Sequence, residues 1–371
     1  AMELKYDINK ESHKIIFCPK NKKDFIISDL KKLASDKKVF FIYDKNINKS
    51  LIQQILDNLK LSGCRIFKMK IEGSKINKNE KLLLKIIDNL IENSFTKKSV
   101  IISCGGGVIG DVSALASSMY FRGLIYFHIP TTMTAIVDSC IGGKTGINYK
   151  GIINSLGNYY HPKNVYILES IIKLIPKREY YAGIPEVIKC GLIGNKKILN
   201  FLQVNKKHII NRNFSYVSQM CKFALQTKIN FFSKDVYEKN KRLNLNFGHT
   251  FAHAIEMTLD KHFNKDYIRH GEAVGIGILC ELYYAFLKEN KMYVITKNIL
   301  QNYSLPTNLN DDKIKKNKQI IQSNIYKNIF LDKKKINQFP RYIKLIKIGK
   351  PRIMEIKDFD RLNETIFRII S

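Results

Sequence analysis

Ser99-Val100-Ile101-Ile102-Ser103 runs directly into Cys104-Gly105-Gly106-Gly107-Val108-Ile109-Gly110-Asp111, and residues 110–119 are rich in small side chains. The β-branched run reads as a buried strand, and the small residues read as a helix packed closely on a sheet. Glycines at such a junction let backbone amides approach a pyrophosphate, whose charge then meets a helix N-terminus. The spacing is not G-x-G-x-x-G, and a tight structural turn uses the same residues, so the surroundings decide. Upstream, Val39-Phe40-Phe41-Ile42-Tyr43 reads as a strand ending at Asp44, an acidic residue placed to bind ribose hydroxyls. Glu72-Gly73-Ser74-Lys75 adds a polar loop at a further strand end. Together the three segments point to a nicotinamide dinucleotide.

Working outward, Leu124-Ile125-Tyr126-Phe127-His128-Ile129 and Asn164-Val165-Tyr166-Ile167-Leu168 read as strands, and residues 81–92 carry Leu and Ile at helical spacing. Strands alternating with helices are the signature of βαβ units, so residues 1–175 are expected to form an α/β NAD-binding domain with a Rossmann-like parallel sheet. After Pro176 the β signals fade. Residues 186–192, 199–208, 216–232, 249–259 and 272–288 read as helices, so residues 176–371 are expected to form a mostly α-helical metal- and substrate-binding domain. Two domains suit a chain of 371 residues.

Composition narrows the function classes. With 45% hydrophobic and 26% charged residues the chain is a folding one, not a disordered one. The richest apolar run, residues 273–287, is interrupted by Glu281 and falls short of a spanning helix. Ala1-Met2-Glu3-Leu4-Lys5 lacks the apolar core of a secretory signal, and the seven cysteines include no C-x-x-C pair. A cytoplasmic location with reduced thiols is the expectation, with no membrane partner. The formal charge of +31 taken alone argues for nucleic acid. Only ten of the 63 basic residues are Arg, however, and phosphate- and base-reading surfaces favour the guanidinium fork. The excess is lysine on solvated surface segments such as residues 313–318, so no nucleic-acid partner is expected.

The helical half holds the chemistry-bearing residues. Asn246-Phe247-Gly248-His249-Thr250-Phe251-Ala252-His253 sets two histidines at i and i+4, on one helix face, and His270-Gly271-Glu272 opens the next helix. Glu186, in Pro185-Glu186-Val187-Ile188-Lys189, is an acid embedded in an apolar helix, where an unpaired carboxylate is costly. One Glu with two His supplies three protein ligands and leaves a position open for substrate, the catalytic zinc arrangement. Lys144, Lys189, Lys228, Arg242, Lys333 and Lys334 stand at positions that periodicity does not require, and as a set they imply an anionic substrate with phosphate and carboxylate groups.

These segments, together with Pro130-Thr131-Thr132, Val137-Asp138-Ser139, Gly142-Gly143-Lys144-Thr145-Gly146, His270-Gly271-Glu272-Ala273-Val274 and Asp332-Lys333-Lys334, resemble the sugar phosphate cyclases, and within them the 3-dehydroquinate synthase family. They occur in family order from about residue 39 to 349. The resemblance implies NAD, zinc with cobalt as a substitute, a homodimer, and cyclisation of 3-deoxy-D-arabino-heptulosonate 7-phosphate, a phosphorylated sugar acid, to 3-dehydroquinate with loss of phosphate. It further implies metal ligation by Glu186, His249 and His270, with His253 catalytic or phosphate-contacting. The cofactor would meet Asp44, Asn46, Glu72, Lys75, Gly107, Val108, Ile109, Gly110, Asp111, Thr131, Thr132 and Lys144. Asp138, Lys144, Lys189, Lys228, Arg242 and Asn246 would be catalytic. Asn154 and Lys334 would bind substrate, with Arg122 entering the partner subunit's site.

Three departures stand out. Family members carry a lysine immediately before the asparagine matching Asn154, where this chain has Ile153, so one cofactor or phosphate contact is missing unless Lys150 substitutes. Ala252 replaces a family glycine, and the segment before His270 is longer than usual. Two enzyme alternatives remain at this level. Cyclases making valiolone- or inosose-type rings act on sugar phosphates without a carboxylate and have no need of Lys228 with Arg242. Metal-dependent polyol dehydrogenases consume NAD stoichiometrically.

Overall fold

Val39, Phe40, Phe41 and Ile42 are shielded from solvent on both faces, as are Val100, Ile101 and Ile102, because both runs lie at the centre of a parallel sheet. The computed structural model describes residues 2–22, 24–264, 266–331 and 339–371. It divides into a unit ending at Pro176 and a second from Lys177 to Ser371.

In the first unit the strands are β1 (Glu3–Ile8), β2 (Glu11–Cys18), β3 (Lys38–Asp44), β4 (Arg65–Ile71), β5 (Val100–Gly105), β6 (Ile125–Pro130), β7 (Lys144–Tyr149), β8 (Ile152–Tyr159) and β9 (Asn164–Leu168). Seven of them form one sheet in the order β1-β2-β9-β6-β5-β3-β4, parallel except for the antiparallel edge strand β1. From β3 the chain moves outward to β4, then crosses back to place β5 on the other side of β3. That reversal is a topological switch point, and ligands of open α/β sheets bind at the carboxyl edge beside it. Asp44 ends β3 and Gly105 ends β5, so the two segments singled out in the sequence flank it. Helices Glu80–Glu92 and Gly107–Met119 cover one face, burying Leu82, Leu83, Ile86, Ile109, Val112 and Leu115 against Phe40, Ile42 and Ile101.

Strands β1 and β4 alternate buried and charged residues along the sheet edges, and β7 and β8 form a separate two-stranded hairpin. None of the four shows the continuous apolar run that marks the central strands.

The second unit is mostly helical, with Ile184–Ile193, Phe214–Phe232, His249–His262 and His270–Phe286 at its centre. Two expectations are corrected here. Residues 199–208 are not one helix: Lys197–Val204 and Lys206–Ile210 are separated at Asn205, whose backbone (φ −100°, ψ 18°) leaves the helical region. The β signals do not end at Pro176 either. Strands β10 (Arg341–Lys347) and β11 (Lys350–Glu355) pair antiparallel. Among the described residues no helix is long and apolar enough to cross a membrane.

Candidate active site

Glu186 lies in the first turn of Ile184–Ile193, a helix opened by Pro185 and buried along its whole length. His249 and His270 each begin a helix, and the two helices are held at close range by Gly248. This residue adopts a left-handed φ of +81°, and a Cβ there would come within 2.9 Å of the Ile278 backbone nitrogen and 3.1 Å of the Val274 carbonyl oxygen. Arg178 clamps the start of the second helix with a bidentate pair, Nε and Nη2 each donating to Glu272 at 2.8 Å.

Nε2 of His249 and Nε2 of His270 each stand 3.4 Å from Oε1 of Glu186, whose side chain is 1% exposed. Neither Glu186 oxygen has a hydrogen-bond partner among the described residues, though Oε2 pairs with the Lys189 ammonium at 2.5 Å. A tetrahedral ion with ligand bonds of about 2.0–2.1 Å has ligand-to-ligand edges of roughly 3.3–3.4 Å, so the spacing fits zinc or an ion of its size. The histidine tautomers agree. Nδ1 of His249 faces the Phe247 carbonyl oxygen at 3.1 Å, and Nδ1 of His270 faces Glu256 Oε2 at 2.8 Å. Both partners can only accept, so Nδ1 carries the proton and the Nε2 lone pair is presented to the ion.

Electrostatics point the same way. Burial alone would raise the Glu186 carboxyl, but Lys189 and His249 outweigh it and hold the group well below the usual range. Burial lowers His249 against the pull of Glu186. It opposes protonation of His270 too, yet Glu256 and Glu186 raise that imidazole to about 10. The two carboxylates demand positive charge here, and a divalent ion supplies it by displacing the proton.

Glu256 went unremarked in the sequence, although it follows His249 and His253 at i+7 and i+3 on one helix face. His253, Glu256 and His270 form a second three-ligand group, in which His253 packs 5.4 Å from the His249 ring. Glu256 already accepts from His270 Nδ1, so the Glu186 group is the one with aimed lone pairs.

Lys189, Lys228 and Arg242 are all buried in the same unit. The Arg242 guanidinium lies 5.3 Å above the Phe232 ring, and Lys228 precedes Phe232 by one helical turn, so both cations share a face of Phe214–Phe232. Arg242 is 2% exposed and so is a buried cation, not a surface one. Asn246 closes the short 3-10 helix that Arg242 occupies, and its Nδ2 donates to Glu238 at 3.1 Å. Lys333 and Lys334 lie outside the described residues.

The first unit gathers the residues of the glycine turn. Asp44 accepts from the Asn46 amide at 2.9 Å, and a Cβ on Gly73 would press on its other oxygen, so a larger residue there would push the Asp44 carboxylate aside. Glu72 pairs with Lys45 at 3.1 Å, and Lys75 begins a 3-10 turn beside it. Among the described residues no side chain caps the helix Gly107–Met119, whose first-turn residues include Val108, Ile109 and Gly110, so its N-terminus can receive an anion. Thr131 and Thr132 follow the adjacent β6, the amide of Thr131 bonding the Gly105 carbonyl at 3.0 Å. Asp138 lies in a π-helical turn, Ala135–Ser139. Gly107, Asp111, Ser139 and Lys144 line one small recess. Asn154 is exposed on β8, and Arg122 is exposed with a left-handed φ of 59°.

The fold and this site define a sugar phosphate cyclase of the dehydroquinate synthase type, and comparison with known proteins agrees. Residues 68–182 match the family described as 3-dehydroquinate synthase N-terminal, and residues 183–335 that described as 3-dehydroquinate synthase C-terminal. A 3-dehydroquinate synthase of Thermodesulfovibrio yellowstonii is 33% identical over 375 residues, covering 100% of this chain and 99% of its own. Among solved structures, 2-deoxy-scyllo-inosose synthase complexed with carbaglucose-6-phosphate, NAD+ and Co2+ superposes with a TM-score of 0.83 at 21% identity, covering 100% of both chains. The 2-epi-5-epi-valiolone synthase of Streptomyces hygroscopicus, with NAD+ and Zn2+ bound, gives 0.81 at 17% identity over 98% of both. The chain belongs to the 3-dehydroquinate synthase family.

Proposed function

We propose that the protein converts 3-deoxy-D-arabino-heptulosonate 7-phosphate to 3-dehydroquinate and phosphate, the ring-closing step of the shikimate pathway toward aromatic amino acids. The observation that carries this reading is the company the metal ligands keep: Glu186, His249 and His270 share a unit with the desolvated cations Lys228 and Arg242. A guanidinium offers the planar fork that suits a carboxylate, and the heptulosonate carboxylate is what distinguishes this substrate from those of the valiolone and inosose synthases.

NAD, held along Asp44, Glu72, Lys75, the turn at Gly107 to Asp111, Thr131 and Thr132, supplies a hydride acceptor that is regenerated within the turnover. Zinc or cobalt, held by Glu186, His249 and His270, supplies Lewis acidity. The chain's own residues do the rest. Arg242 and Lys228 take the carboxylate end of the substrate. Lys189 balances Glu186 and directs a donor toward substrate, Asn246 orients hydroxyls, and His253 carries protons. Fixing the substrate lets successive steps proceed without release.

Homodimer formation follows from Arg122, which the reading assigns to the neighbouring copy's site. Phe121 beside it is 56% exposed and also left-handed, and such strain persists where a partner makes use of it. All seven cysteines are free, which accords with a cytoplasmic location.

Phosphate release measured with the heptulosonate phosphate and, in parallel, with sedoheptulose 7-phosphate tests the assignment. The proposal expects release from the first only. Preferential turnover of the second would make the protein a cyclase of the valiolone type.

A further inference from the structure

Asp235 lies three residues beyond the helix Phe214–Phe232, where the partial negative charge of a helix C-terminus disfavours an acid. Three backbone amides nevertheless converge on its carboxylate. Oδ1 accepts from Lys239 at 3.0 Å, and Oδ2 accepts from Asn240 at 2.8 Å and from Arg242 at 2.9 Å. The Asp235 amide donates to the Phe232 carbonyl oxygen at 3.0 Å, tying the turn to the helix end. Burial raises this carboxyl, but the amides of Arg242, Lys239 and Asn240 outweigh it and hold the group below the usual carboxylate range.

The turn that Asp235 closes is strained. Glu238 holds a left-handed φ of 55°, a conformation that persists where the surroundings over-determine it. Its amide donates to the Asp235 carbonyl oxygen at 3.2 Å, and its side chain accepts from Asn246 Nδ2. Arg242 closes the loop from the other side: Nη1 donates to the Val236 carbonyl oxygen at 2.7 Å, while the Arg242 amide is held by Asp235. The backbone and the side chain of Arg242 are thus both fastened to residues 235 and 236. Phe232, whose carbonyl anchors the turn, presents its ring 5.3 Å from the guanidinium carbon.

We infer that Asp235 is a positioning residue for Arg242: by gathering three amides it folds residues 235–242 into the shape that sets the guanidinium against Phe232, ready for a substrate carboxylate. Hydrogen bonds from amides to a carboxylate are charge-assisted and about twice as strong as neutral ones, so one acid can hold this turn against its strain. A long side chain ordered only on binding gives up rotamer entropy at that moment, and a fork held in advance avoids the cost. This inference rests on the reading of Arg242 as the cation that takes the carboxylate.

The test is a double-mutant cycle on kcat/KM for the heptulosonate phosphate, using the full chain loaded with zinc and NAD. Asp235→Ala is expected to lower kcat/KM about tenfold or more, the range for losing hydrogen bonds to a charged acceptor. In the Arg242→Ala background the same change is expected to cost less than about twofold, because the residue it positions is gone. Asp235→Asn, which keeps an oxygen for Asn240 and Arg242, is expected to stay within about threefold of wild type. Asp235→Ser, which shortens the acceptor, serves if the alanine variant does not fold, and is expected to behave as alanine does. Zinc affinity in a chelator competition is expected to stay within about twofold, and its fall in step with kcat/KM would make Asp235 a support of the whole unit and overturn the inference. A loss below about threefold in the alanine or serine variant, or an undiminished loss in the Arg242→Ala background, overturns it too while leaving the carboxylate reading intact. Arg242→Ala within about threefold of wild type overturns both.

Discussion

Glu256 holds His270: its Oε2 lies 2.8 Å from Nδ1, and the opposite ring nitrogen is thereby aimed at Glu186. Carboxylate–histidine pairs of this kind fix ring orientation and raise ligand basicity, and their loss typically costs about 10–100-fold in metal affinity. Glu256→Ala is expected to weaken zinc binding by that factor in a chelator-competition titration. Glu256→Gln, which still accepts from Nδ1, is expected to lose less. Wild-type zinc affinity in the alanine variant would show that the second ring nitrogen needs no such support.

The proposed function gives Arg242 the substrate carboxylate to hold. Truncating a desolvated charge that pairs with a substrate carboxylate costs on the order of 2–5 kcal/mol of transition-state stabilisation. Arg242→Ala should therefore lower kcat/KM on the heptulosonate phosphate by about thirtyfold or more. A value within about threefold of wild type would falsify the carboxylate assignment.

Folding should weaken in acid through His128. Its imidazole is buried, with Nδ1 2.7 Å from Ser103 Oγ, and burial pushes its pKa down to about 4. An unfolded histidine titrates near 6.5, so between these values the unfolded chain binds the extra proton. The stabilisation is therefore complete above about pH 6.5 and is lost as pH falls toward 4, amounting to about 3 kcal/mol. Urea unfolding at pH 7 and pH 4, compared with His128→Asn, isolates this contribution. An equal acid sensitivity in the variant would assign the loss to other groups.

What could be read from the sequence follows a physical division. Residues 39–43 and 164–168 announced themselves because strands buried on both faces must be continuously apolar. The edge strands β1 and β4 and the hairpin of β7 and β8 carry charged or solvated residues and left no such trace. In the site, Glu186 was conspicuous as an acid in an apolar helix, and His249 and His270 as helix-opening histidines. Glu256 was not legible, because the histidine it orients lies 14 residues away and only the folded helix pair brings them together.

The most direct test of the account is the number of turnovers per NAD. With zinc-loaded protein, the heptulosonate phosphate in large excess and NAD limiting, phosphate release is followed alongside absorbance of reduced cofactor. The account predicts that phosphate far exceeds the NAD present while no reduced cofactor accumulates, because the hydride returns to each product. One equivalent of NADH formed per product would contradict it and make the protein a dehydrogenase.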